Sequence, residues 1–305
     1  MRVRQAEADD AAAVAAFTRD TWPDRDGTDY LPDVFVEWVA ADDETQRTSV
    51  ATVDGDPIGV VQTVLLSEHE AWQQGMRVHP DYRGEGVGIA LSHAGFDWAR
   101  DRGATVARDM VFSWNERGLG LSRAAGFGPG PEFRWAHPEP TADARVTGTV
   151  TDEPRAAWSH WRESRAAASL DGLGLSIDES WALAEVSLAG LERARDEESL
   201  LVVDGGGTAA VAYRSRVAER ETDDGAETWA DYGAAAWDDL EAAGDLFAAI
   251  ARDAAGAGAD RVRVLVPETT RAVSDAAAAR VAVSDDPDFV FAADLTGPYR
   301  ERSHR

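Results

Sequence analysis

A strand-forming run from Trp72 to Val78 meets His79-Pro80, and three glycines, Gly84, Gly86 and Gly88, follow before an apolar stripe of helical period begins. Val87, Ala90, Leu91, Ala94 and Trp98 place one face of that helix against a core. Such a strand–turn–helix junction belongs to a mixed α/β unit, and the rest of the chain has to be arranged around it. The glycines leave no side chain between the backbone N–H groups of the first helical turn and whatever approaches them. With the positive end of the helix dipole and the permanent charge of Arg83, these groups suit a pyrophosphate.

The spacing excludes two common phosphate sites. Gly84-Glu85-Gly86-Val87-Gly88 does not match G-x-G-x-x-G, and a loop ending Gly-Lys-Ser/Thr is impossible in a chain without lysine. Arg83-Gly84-Glu85-Gly86-Val87-Gly88 instead resembles the Arg/Gln-x-x-Gly-x-Gly/Ala loop of the GNAT superfamily of N-acetyltransferases. Gly75-Met76-Arg77-Val78-His79-Pro80 resembles that family's fourth strand and turn. Asn115 to Gly126-Phe127 resembles its helix running from an asparagine to a closing Gly-Phe. The two motifs cover roughly residues 70–130, and the order of elements extends the likeness over most of 1–136.

That order reads strand 3–6, helix 11–19, a loop at 22–27, a helix near 34–40, and a hairpin of strands 50–53 and 58–61 about Asp54-Gly55. Strand 72–78, the glycine loop and its helix, strand 105–112, the Asn115 helix and a strand at 133–136 complete it. Pro138-Glu139-Pro140 reads as the start of a linker. Beyond it the order recurs, with strand 146–150, helices 153–168 and 179–195, a hairpin about Gly205-Gly206-Gly207, strand 229–237, helix 240–251 and strand 259–266. Corresponding points lie about 150–160 residues apart, as in a tandem copy. With the resemblance, this implies two GNAT domains in tandem, 1–137 and 146–298, joined by a linker at 138–145 and followed by a tail at 299–305. The second copy is degenerate: where the glycine loop should stand it reads Trp237-Asp238-Asp239-Leu240-Glu241, with no arginine.

Composition bounds the setting. There are 56 Asp and Glu against 30 basic residues, all arginine, for a net charge of −26. Eleven Trp and 44% apolar residues argue against an acidic disordered chain. A folded protein this acidic is expected in the cytoplasm of a salt-accumulating halophile, where molar salt screens self-repulsion within a few ångströms. The charge speaks against nucleic acid and anionic membranes as partners. Without cysteine there is no disulfide or thiolate chemistry, and the six histidines show no ligand spacing, so no metal is expected. Neither a signal peptide nor an apolar run of about 20 residues is present in the sequence.

The resemblance implies acetyl-CoA as cosubstrate, direct acetyl transfer to a small-molecule or peptide amine, and a monomer or homodimer. Arg83, Gly84, Gly86, Val87 and Gly88 would hold the pyrophosphate, backbone around Met76 and Val78 the pantetheine arm, and Asn115 would join them. An amine of lysine type has a pKa near 10.4, so it needs a base or a water chain. Family bases often lie on the fourth strand; Glu70, sharing a face with 72, 74 and 76 of an extended strand, is the candidate. Ser122 stands where the family commonly has a tyrosine that protonates the leaving thiolate. A serine is a weak acid, and that departure leaves open a second reading, a non-catalytic acyl-CoA-binding or regulatory protein. Gly118 and Gly120 weaken the Asn115 helix, either for passage of the pantetheine or for tight packing.

Overall fold

The computed structural model describes residues 1–19, 21, 29–222 and 225–297; the expected loop at 22–27 and tail at 299–305 lie outside them. The first elements are β1 (Arg2–Gln5), α1 (Ala11–Thr18), α2 (Leu31–Ala41), β2 (Gln46–Val53), β3 (Asp56–Leu65), β4 (Glu70–Val78), α3 (Val87–Arg100), β5 (Val106–Phe112), α4 (Glu116–Ala125) and β6 (Gly128–His137). Next come β7 (Thr149–Thr151), α5 (Pro154–Glu163), α6 (Arg165–Ser169), β8 (Leu173–Leu175), β9 (Leu183–Glu185), α7 (Leu188–Asp196) and β10 (Leu200–Asp204). The chain continues through β11 (Thr208–Thr222), β12 (Gly225–Trp237), α8 (Leu240–Gly256), β13 (Arg261–Pro267), α9 (Thr270–Ala278), β14 (Ala282–Val283) and β15 (Asp288–Asp294). Two compact units result: unit 1 holds Met1–Val111, Asn115–Pro129 and the chain from Val290, and unit 2 holds Phe112–Trp114 and Gly130–Phe289.

In unit 1 the strand order is β1-β2-β3-β4-β5, antiparallel except for the parallel pair β4–β5, with the end of β15 beyond β5. Both faces are covered. Val50 and Val60 point to α1 and α2, packing with Val14, Phe17, Leu31 and Phe35, while their neighbours Ala51 and Val61 point to α3, packing with Val87 and Leu91. With both faces covered, the central residues Val50-Ala51 and Val60-Val61 are apolar in succession, which is why β2 and β3 lack the alternation of a half-exposed hairpin.

Unit 2 repeats the plan as β7-β10-β11-β12-β13-β6, with β12–β13 the parallel pair. Ala230, Tyr232, Val262 and Val264 bury one face of this sheet against Leu246, Phe247 and Ile250 of α8. The strand at 133–136, expected to complete the first domain, pairs instead with β13, from Phe133↔Pro267 to Ala136↔Val264. A boundary at 137 therefore cuts through unit 2, and the place beside β5 in unit 1 is taken by the last strand of the chain. The expected linker is docked as well, Thr141 N–H donating to the Ala251 carbonyl of α8.

Two helices of the second copy differ from their sequence reading. The stretch 153–168 breaks at Ser164, whose extended backbone ends α5 and whose hydroxyl accepts from Ala167 N–H to start α6. The stretch 179–195 becomes helical only after Ser187, which caps α7 through Gly190 N–H; before it lies β9, paired to β8. In both places a serine gave the backbone an alternative partner that apolar spacing does not register. The Gly205-Gly206-Gly207 turn is a hairpin turn, with Gly206 and Gly207 N–H donating to Asp204 Oδ1.

Candidate active site

The parallel strands β4 and β5 share only three registered pairs, Glu70↔Val106, Ala71↔Ala107 and Trp72↔Arg108. Among the described residues no β4–β5 pair follows Trp72↔Arg108, and the two strands form a fork. At about 3.3 Å per residue the stretch from Gln73 to Val78 runs roughly 17 Å past the last pair with β5. It is broken by a β-bulge: Gly75 and Met76 together stand opposite Val61. Gly75 has φ +65°, and a Cβ there would lie 2.6 Å from the Trp38 ring, so only glycine fits. The bulge overturns strict alternation along β4. Because Gln74 pairs with Gln62 and Arg77 with Val60, it is Arg77, not Met76, that continues the face of residues 70, 72 and 74.

At the far end of this stretch lies the start of α3. Gly86, at φ +81°, is the residue before its first turn, and no side chain caps it. A Cβ on Gly84 or Gly86 would meet nothing within 4 Å, so the approach to the N–H groups of Val87, Gly88 and Ile89 is open. Arg83 Nε donates to the Val78 carbonyl at 3.3 Å, tying the guanidinium to the end of β4. Burial and the neighbouring charge of Arg117 push the Arg83 pKa down. Two guanidiniums thus crowd one another beside a bare helix N-terminus, and among the described residues no carboxylate bridges Arg83. Arg117 was not singled out from sequence; its only signal was a place in the first turn of the Asn115 helix.

The remaining expected residues take several roles. Val87 contributes its backbone alone, since its side chain is in the core. Gly88 is glycine for α4, because a Cβ would strike Leu121 at 2.8 Å. Gly118 is likewise a packing glycine, 2.8 Å from Val111 and 2.6 Å from Asn115, whereas Gly120 faces open space. Asn115 caps α4, its Oδ1 accepting from Gly118 N–H at 3.0 Å, so only its amide nitrogen is left to donate elsewhere. His79 also works as a cap, Nδ1 accepting from Asp81 N–H.

Glu70 does not have the placement of a free base. It is buried at the closed end of the fork, Oε1 taking Arg108 Nη1 at 2.5 Å and Oε2 taking Ser67 Oγ at 3.0 Å. A carboxylate locked in a buried ion pair is structural by geometry, and removing its proton acceptor capacity from Arg108 would strand a buried charge. A second carboxylate stands at the fork. Asp109, directly after the last β4–β5 pair, accepts from Ser122 Oγ at 2.6 Å. Its Oδ1 is shielded from solvent with no partner. Burial pushes the Asp109 carboxyl up to about 7, against the opposing pull of the Ser122 hydrogen bond. Sequence reasoning missed Asp109 because a carboxylate in so acidic a chain carries no signal until its burial is known.

In unit 2 the corresponding features are closed. β12 and β13 part after Tyr232↔Val264, but at Gly233 the Tyr213 ring covers the backbone and β8 approaches through Gly174. The α8 N-terminus is capped by its own Asp239, and Asp245 is committed to Thr147 and Gly148 N–H.

Residues 11–127 match the model of the acetyltransferase (GNAT) family. These residues carry a domain of the GNAT superfamily. The chain is 28% identical over 134 residues, 41% of this chain and 88% of the relative, to an aminoglycoside N(6')-acetyltransferase type 1 of Klebsiella aerogenes. A GCN5-related N-acetyltransferase of Sphaerobacter thermophilus aligns over 96% of this chain and 95% of its own, with TM-score 0.59 and 17% identity. A tandem GNAT protein from the clavulanic acid biosynthesis pathway aligns over 97% and 99%, with TM-score 0.56 and 15% identity. The fold is therefore that of a GNAT tandem along the whole chain, with the glycine loop in unit 1 alone.

Proposed function

We propose that the protein is an N-acetyltransferase that binds acetyl-CoA in unit 1 and passes the acetyl group directly to an amine. The observation that carries this reading is the bare α3 N-terminus, with Arg83 and Arg117 beside it, at the end of the β4 stretch that has parted from β5. The pyrophosphate fits the N–H groups and guanidiniums. The pantetheine arm fits the edge of β4, hydrogen-bonding as an added strand would, and its thioester then arrives near the fork. There an amine nitrogen attacks the carbonyl carbon, a C–N bond forms and the C–S bond breaks. The proton shed by nitrogen balances the one gained by the departing thiolate.

Asp109 and Ser122 supply the proton in place of a tyrosine. Ser122 hands its hydroxyl proton to sulfur while taking one from the Asp109 carboxyl, whose raised pKa keeps it partly protonated near neutrality. This pair favours catalysis over the non-catalytic reading, since a scaffold has no need of a buried carboxyl with an unpartnered oxygen. The Klebsiella relative's name makes cationic amines, aminoglycosides among them, the first acceptors to try. The acidic, lysine-free composition supports work in molar salt.

Release of free thiol from acetyl-CoA, followed over a panel of amines and aminoglycosides in molar KCl, tests the proposal. Acceptor-dependent release is expected. CoA binding with no release for any amine would leave the non-catalytic reading standing.

A further inference from the structure

Unit 2 carries a charged aromatic cleft on the face of its sheet opposite α8. Strand pairing sets Arg216, Asp231 and Arg263 side by side on β11, β12 and β13, with Trp229 two residues from Asp231 on the same face. Asp231 binds two guanidiniums at once: Arg263 through Nε and Nη2 at 2.7 and 2.8 Å, and Arg220 through Nη2 at 3.0 and 2.8 Å. Arg263 and Asp231 are each 4% exposed. The Arg263 guanidinium lies 3.9 Å from the centre of the Trp181 ring and 4.5 Å from that of Trp135, and Arg220 lies 4.9 Å from that of Trp229. A cleft of about 330 Å³ opens over these groups, walled also by the stacked rings of Phe112 and Trp114.

The charges at its inner end do not cancel. Two arginines bind one carboxylate, and Arg216, the cross-strand partner of Asp231, has an Nη2 shielded from solvent without a partner. Burial and the charges of Arg263 and Arg216 push the Arg220 pKa down to about 10, the mark of a cation held among cations. The other acids nearby fill the gap only in part. Asp288, pushed up to about 6 by burial, still carries charge at neutral pH, where it accepts from Trp135 Nε1 and faces Arg263. Asp285 and Asp286 are exposed at the mouth, where they act on Arg134. In a chain with 56 acidic side chains, an interior arginine cluster short of an anion is unexpected unless a ligand brings one.

We propose that this cleft binds a small planar carboxylate: an aromatic acid whose ring lies among the tryptophans and whose carboxylate meets Arg220 and Arg263, with the charge of Arg216 behind them. The volume, at the low end of small-molecule sites, admits one ring system and not a nucleotide cofactor. A cationic ligand is repelled at the inner end, where guanidiniums already occupy the faces of Trp135, Trp181 and Trp229. The site is independent of the acetyl-CoA reading of unit 1.

Benzoate, benzamide and benzamidinium share one ring and differ in charge, so titrating the full chain with each in turn, followed by tryptophan fluorescence, isolates the carboxylate. Benzoate is expected to bind about tenfold or more tightly than benzamide, with benzamidinium weakest. Arg220→Gln should cut benzoate affinity by about tenfold while the melting temperature holds or rises, because a crowded cation is removed. Should Arg220→Gln fail to fold, Arg216→Met carries the same comparison. Equal binding of the neutral or cationic probe, no response to any of the three, or unchanged benzoate affinity in the folded variant would each overturn the proposal.

Discussion

Asp109 makes opposite demands on activity and stability, and that opposition can be measured. A carboxyl that titrates near 7 in the folded chain and near 3.9 when unfolded holds its proton more tightly in the folded state. Its contribution is therefore favourable at low pH and is lost as pH rises from about 4 through about 7. Asp109→Asn keeps the shape and removes the charge, so its melting temperature should exceed that of the parent by more at pH 8 than at pH 5. The same substitution should lower kcat by about 10²-fold or more and abolish the fall in kcat above pH ~7 expected when Asp109 loses its proton. A variant with unchanged kcat and the parental pH profile would remove Asp109 from the mechanism. Arg83 and Arg117 form the second residue-scale case. Arg83→Ala should weaken CoA binding by about 1.5–3 kcal/mol. Arg117→Ala should also weaken it while leaving or raising the stability of the CoA-free protein, because it relieves the repulsion seen at Arg83. Calorimetric titration with CoA reads both.

Among the elements, β4 and α3 owe their use to glycines of different kinds. Gly75 is required by what surrounds it, a Trp38 ring 2.6 Å from any Cβ, as well as by its φ of +65°. Gly86 is required only by its φ of +81° and by what has to approach it. Gly75→Ala should therefore cost about 2 kcal/mol or more in stability, from overpacking and strain together. Gly86→Ala should cost about 1–2 kcal/mol from strain alone, while CoA affinity falls further than stability does. Denaturant unfolding and CoA titration on the two variants separate these effects; equal stability losses would mean that the space around Gly86 is not open.

At the scale of the whole molecule, the two copies share a fold and differ in what their forks can admit. Unit 1 leaves the helix N-terminus bare; unit 2 closes it with Asp239 and fills the approach at Gly233 with Tyr213 and Gly174. Titration should accordingly saturate at one CoA per chain, and Arg83→Ala should weaken that single site; two equivalent sites would show that unit 2 opens in solution. The net charge of −26 sets a second global property. Lowering KCl below about 0.5 M lengthens the screening distance and strengthens self-repulsion, so the melting temperature should climb between ~0.2 and ~3 M KCl. A flat or falling curve would contradict adaptation to high salt.

The sequence by itself determined the features set by local chemistry. Glycines at 84 and 86 admit a bare helix start whatever surrounds them, Arg83 places its charge there, and the apolar periods of β2, β3, β4 and α3 are readable because burial imposes them residue by residue. Tertiary structure decided whatever depends on partners far along the chain. Residues 133–136 read as a strand, yet nothing in their alternation states that β13 rather than β5 would pair with them, since the ladder bonds are backbone bonds available to either. The bulge at Gly75 and Met76 shifted a face that strict period two assigns otherwise. Glu70 and Asp109 are chemically near-equivalent carboxylates in the sequence. One is held by a buried arginine; the other met a serine and lost its solvent, which pushes its pKa up to about 7 through surroundings that only the fold assembles.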